Sequence, residues 1–106
     1  MEPRQKLDEI LHAKLNLETA PMAWKDLERF FSSGALISVS RELDLVDVAV
    51  RIANDDTQTV AKWLDGGSVA KVSDTQAQAW HDADMTLWTV VVKPWILVQE
   101  EQRTEH

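Results

Sequence analysis

The sequence predicts an α+β domain, with about five short helices packed on a small, mainly antiparallel sheet and a long C-terminal strand segment. Three observations lead there. Residues 87–98 are β-branched, aromatic or aliphatic almost throughout, which is the composition of strands. Leu45, Val48, Ala49, Ile52 and Ala53 recur at helical spacing. Gly, Pro and Asx residues punctuate the chain at short intervals, so each element is short.

The first helix is expected over residues 5–17, with Leu7, Ile10, Leu11 and Leu15 at helical spacing. Pro21 interrupts the chain. A second helix follows over 23–32, its stripe formed by Trp24, Leu27, Phe30 and Phe31. Gly34 stops it, because glycine enters the left-handed cap at least cost. Residues 35–39 read as a short strand. Asp44 then caps a helix that carries the Leu45–Ala53 stripe, with Asp47 in its first turn. Leu43 and Val48 are spaced for a hydrophobic staple, and Asp47 and Arg51 for an i,i+4 pair.

Asn54, Asp55 and Asp56 end that helix and cap the next, over 57–65, whose stripe is Val60, Trp63 and Leu64. Gly66 and Gly67 stop it. Residues 69–72 suggest a short strand. Ser73 and Gln76 match a capping box, opening a helix that turns Ala77, Trp80 and Ala83 inward.

In the last segment the even positions, Trp88, Val90, Val92, Pro94, Ile96 and Val98, are all apolar and are assigned to the core. The odd positions, Leu87, Thr89, Val91, Lys93, Trp95 and Leu97, form a mixed face that is only partly covered. A straight strand of this length would span about 40 Å. A compact chain of this size is roughly 33 Å across. Pro94 also lacks the N–H a central strand donates. The segment is therefore bent or bulged near Lys93–Pro94, or else its end pairs with a second subunit.

The 106 residues form a single domain, with a polar tail over about 100–106. With no cysteine, a disulfide framework, thiolate zinc and thiol catalysis are excluded. The net charge is −7, and no Lys/Arg cluster occurs. That disfavours nucleic acid and anionic membranes as partners. The N-terminal stretch lacks the apolar run of a signal peptide, and no run approaches a membrane span. A cytoplasmic protein is expected.

Catalytic signals are poor. No serine stands in a Gly-x-Ser-x-Gly turn, and no glycine-rich loop could cradle phosphate. His81 and Asp84, at i and i+3, could share a helix face and are the candidate metal ligands, although a metal needs more ligands than these. A solvated acidic helix end is the simpler reading of them. Asp55 and Asp56 read as helix caps. Four of the five tryptophans, Trp24, Trp63, Trp80 and Trp88, are assigned to the core. Trp95, beside Lys93 on the mixed face, is either covered core or an exposed contact for a partner or ligand.

The order and spacing of these motifs resemble an uncharacterised bacterial family, domain of unknown function 2288. The likeness runs through Ala13-Lys14-Leu15-Asn16, Trp24-Lys25, Arg29-Phe30-Phe31, Leu43-Asp44-Leu45-Val46 and Asp55-Asp56. It continues through Trp63-Leu64, Gln76 to Trp80, Leu87-Trp88 and Pro94 to Gln99. The resemblance implies a bacterial, stand-alone cytoplasmic domain and brings no activity or site residue with it.

No catalytic residue or cofactor is assigned. The first functional expectation is a non-enzymatic protein-interaction module, self-associating as a homodimer or binding another protein through Lys93 and Trp95. The alternative is a small-ligand or metal-binding domain, with its site near His81 and Asp84 or on the tryptophan-lined surface.

Overall fold

The computed structural model describes residues 3–100, with side chains from Lys6 onward. The element order is α1 (Pro3–Glu18), β1 (Ala20–Ala23), α2 (Trp24–Ser32), β2 (Leu36–Val39), α3 (Leu45–Ala53), α4 (Thr57–Asp65), β3 (Val69–Lys71), α5 (Asp74–Asp82), β4 (Thr86–Val92) and β5 (Trp95–Glu100). The five helices and the α+β class are as the sequence predicts. One sheet of five strands runs in the order β1-β4-β5-β2-β3. Its pairs are antiparallel except β2 with β5, which are parallel. The polar tail lies outside the described residues, save that Glu100 ends β5.

The C-terminal segment is a hairpin rather than one long strand. β4 turns at Lys93–Pro94, joined by a cis peptide bond, and β5 returns beside it with Val92 opposite Trp95. This sharpens the expected bend into a full reversal within one chain. It also corrects the reading of the two faces. A two-residue turn puts even positions of β4 opposite odd positions of β5, as in the pairs Val90 with Leu97 and Trp88 with Gln99. Cross-strand partners share a face. Val90 and Val92 therefore lie with Leu97 and Trp95, while Ile96 and Val98 stand on the other side. Pro94 is exposed in the turn.

Both faces are covered, so the domain has three layers. On one face Leu15 of α1 and Leu45, Val48 and Ala49 of α3 pack on Ile37, Val39, Val69, Val90 and Leu97, with Trp63 of α4 at the margin. On the other, Trp24 and Leu27 of α2 and Ala77 and Trp80 of α5 pack on Leu36, Leu87 and Val98. The Trp24 and Trp80 rings meet edge to face, 5.5 Å apart, and the Trp80 indole N–H donates to Glu100 Oε2 at 3.1 Å. β5 lies third of five strands. Its run Leu97-Val98-Gln99 is buried on both sides, which is why that stretch is unbroken by charge.

Other local expectations divide. Asp44 caps α3 by accepting from the N–H groups of Val46 and Asp47, Asp56 caps α4, and Ser73 with Gln76 forms the full capping box of α5. Gly34 and Gly67 adopt φ +78° and +77° after their helices. The segment around Pro21 is an edge strand, β1, where the sequence showed only an interruption. Pro21 is tolerated there because an edge strand need not donate on its outer side. Ala83 is exposed as the C-cap of α5, since that helix ends a residue earlier than the inward stripe requires. Trp88 stands on the predicted face but is 37% exposed, because it lies toward the β1 edge of the sheet, outside the cluster that α1 and α3 cover. The Asp47–Arg51 pair is replaced by two others: Asp47 meets His12 of α1 at 3.2 Å, and Arg51 meets Asp56 at 3.6 Å.

Candidate functional site

Trp95 and Lys93 come to rest at one end of the sheet, in a cleft of about 590 Å³. The hairpin turn places Lys93, Pro94 and Trp95 along one wall. β2 and β3 supply the floor through Ile37 and Val69, both buried. The opposite wall is α4, which contributes Val60, Ala61 and Leu64. The register explains the convergence. Lys71 is opposite Ile37, and Ile37 is opposite Leu97, two residues beyond Trp95. These side chains therefore emerge on the same face of the sheet.

α4 is the element that opens the cleft. Its stripe of Val60, Trp63 and Leu64 is amphipathic as predicted, yet none of its residues is buried. Leu64 is 52% exposed. By contrast α3 buries Leu45, Val46, Val48, Ala49 and Val50. α4 thus leans on the small edge strand β3 without closing on the sheet, and its apolar side faces a gap. Pockets for small molecules usually run to about 300–1,000 Å³ with apolar linings and a few polar groups, and this cleft has that character.

The polar groups of the cleft are unevenly engaged. Asp56 accepts from Thr59 N–H at 3.3 Å and from the Thr59 hydroxyl at 2.9 Å, and lies 3.6 Å from Arg51. On the strand side, the Lys71 ammonium lies 5.7 Å from the centre of the Trp95 ring. Such placement over an indole face is mildly attractive. Among the described residues, neither Lys71 nor Lys93 has a carboxylate within ion-pair distance.

The other sequence candidates lie elsewhere. His81 and Asp84 are exposed at the end of α5, against the opposite face of the sheet from the cleft. The His81 Nδ1 atom is 3.6 Å from Glu28 Oε1 of α2. Asp84 lies beyond the end of α5 in a left-handed conformation, φ 50°, and its backbone N–H donates to His81 O. Asp82 accepts instead from Gln78.

A grouping with metal-ligand chemistry does occur where sequence spacing could not reveal it: among the described residues, His12, Asp44 and Asp47 place ligand atoms within 4.8 Å of one another. His12 lies more than thirty positions away in sequence, and only the α1–α3 contact unites them. Its parts have structural duties already. Asp44 Oδ1 accepts from two backbone N–H groups, and a cation there would face the positive end of the α3 dipole.

Comparison with known proteins adds family and fold. A family model described as "Protein of unknown function (DUF2288)" matches residues 10–100. The chain is also similar to PA1075 from Pseudomonas aeruginosa, whose NMR solution structure gives a TM-score of 0.79 at 47% identity, covering 92% of each chain. No curated protein matches. No helix among the described residues is long and apolar enough to cross a membrane.

Proposed function

The chain belongs to the DUF2288 family of proteins of unknown function, and from that premise we propose that it is a cytoplasmic, non-enzymatic small-ligand-binding domain. Its ligand sits in the cleft between α4, β3 and the β4–β5 turn. The observation that carries this reading is the uncovered apolar side of α4 facing Ile37, Val69 and Trp95 across about 590 Å³. Leaving that much aliphatic and aromatic surface wet is unfavourable, at about 25 cal/mol for each Å². An apolar ligand removes it from water without rearranging the core. The expectation of self-association drew on the mixed face with Trp95, the lack of a catalytic constellation and a projecting strand end; the hairpin takes only the last of these grounds away.

n-Octanol, an uncharged apolar probe, tests the reading. A ligand that binds only the folded state raises the melting temperature as its concentration rises. The expected result is a concentration-dependent increase for the wild type and none for Leu64→Glu. Leu64 is largely exposed, so this substitution leaves the fold intact while placing a charge in the cleft wall. An equal response from the wild type and Leu64→Glu, or no response from either, contradicts the reading.

A further inference from the structure

We infer that the cleft's ligand is an amphipathic anion, with an apolar body along α4 and a single carboxylate-like head between Lys71 and Lys93. This rests on the binding reading above and adds the chemical class of the ligand. Three observations bear on it.

The first is the contrast with the rest of the molecule. The chain carries a net charge of −7, yet two of its few cations sit at the rim of one apolar cleft. Only 11 of the 106 residues are Lys or Arg. The second is that, among the described residues, these two have no acidic partner. Neither has a carboxylate within ion-pair distance among the described residues, although acidic side chains outnumber basic ones by 18 to 11. The third is placement. Lys71 lies over the Trp95 ring at 5.7 Å, and Lys93 stands two residues from Trp95 in the turn. The Lys71 ammonium thus stands beside the aromatic wall and Lys93 lines the same cleft, where an acid's apolar body and charged head would be met together.

The carboxylates of the cleft stand on the helix wall. Asp56 is committed to Thr59 and Arg51. Asp55 is exposed at the end of α3, and with Asp56 it defines the side on which an anionic head would be repelled. The head is therefore directed to the strand wall and the body to Val60 and Leu64. An ammonium-headed ligand of the same length would meet the opposite pattern, with its charge against the two lysines.

The test compares n-octanoate, n-octanol and n-octylamine, which share a chain and differ in head charge at neutral pH. Binding is measured by calorimetry on the full chain and located by ¹⁵N NMR. The inference predicts that octanoate binds about tenfold more tightly than octanol, as expected for two partly solvated charge–charge contacts. It predicts that this advantage shrinks with added salt. In Lys71→Gln/Lys93→Gln the advantage disappears, octanoate binding no more tightly than octanol does to the same variant. Both lysines are exposed, and the variant's own ¹⁵N spectrum verifies that it still folds. Octanoate binding no tighter than octanol, or octylamine binding tightest, overturns the inference and leaves the cleft reading standing. If none of the three perturbs cleft residues, both fall.

Discussion

Gln99 is a polar residue placed where the chain looks purely apolar. It is 7% exposed on β5, and its Nε2 donates to Ser40 O at 2.8 Å and Leu43 O at 2.7 Å. Those two carbonyls belong to the connection between β2 and α3, just before the Asp44 cap. One amide group thus fixes how α3 enters its layer, and α3 carries much of the core on that face. Gln99→Ala is expected to destabilise by about 1–3 kcal/mol, because two carbonyls lose their donor. Urea denaturation of wild type and variant gives the difference, and a change within error would contradict the role. The sequence shows Gln99 only as the polar residue just past the predicted strand segment. Its partners are more than fifty positions away, beyond the reach of periodicity. Asp44, Asp56, Ser73 and Gly34 were legible because their duties are local: each acts on backbone within a few residues of itself.

At the scale of elements, the helices were readable and the strands less so. A helix declares itself through contacts at i+3 and i+4, and α2 to α5 stand within a residue or two of their expected bounds. β1 escaped notice because its four residues, Ala-Pro-Met-Ala, have no alternation and no β-branched side chain. It is a strand because β4 offers it an edge. The hairpin shows the complementary difficulty. Period two identifies faces only while the chain continues in one direction, and the turn at Lys93–Pro94 exchanged them. That is why the even positions divide between the two cores, and why Trp95 joins Val90 and Val92 on the α3 side.

α4 behaves differently from its neighbours. It is helical by sequence pattern, by the Asp56 cap and by the glycine stop, but it buries no residue of its own. Its stability comes chiefly from local terms and a half-buried Trp63. Native-state hydrogen exchange should therefore show α4 amides exchanging well before those of α3, which buries five residues. Equal protection of the two helices would mean that α4 is held more firmly than its packing implies.

For the whole molecule, the central fact is the asymmetry between its two outer layers. α2 and α5 close their face with tightly packed aromatics, whereas α1 and α3 close only part of theirs and α4 leaves the end open. The three-layer arrangement was not visible in the sequence, because a single mixed strand face and a covered second face differ only in what packs against them. The candidate residues Lys93 and Trp95 were legible as an unexplained departure from core building. Lys71, Val60 and Leu64 became their neighbours only through the β2–β3 and β2–β5 pairings. The cleft is thus a product of topology, and a ligand site there is a claim about place before it is a claim about chemistry. The most direct test is a ¹⁵N NMR titration of the full chain with n-octanol. Shifts concentrated at residues 57–64, 69–71 and 93–95 are the predicted result. Shifts spread over the surface, or centred on Trp88 or the outer side of α1, would contradict it.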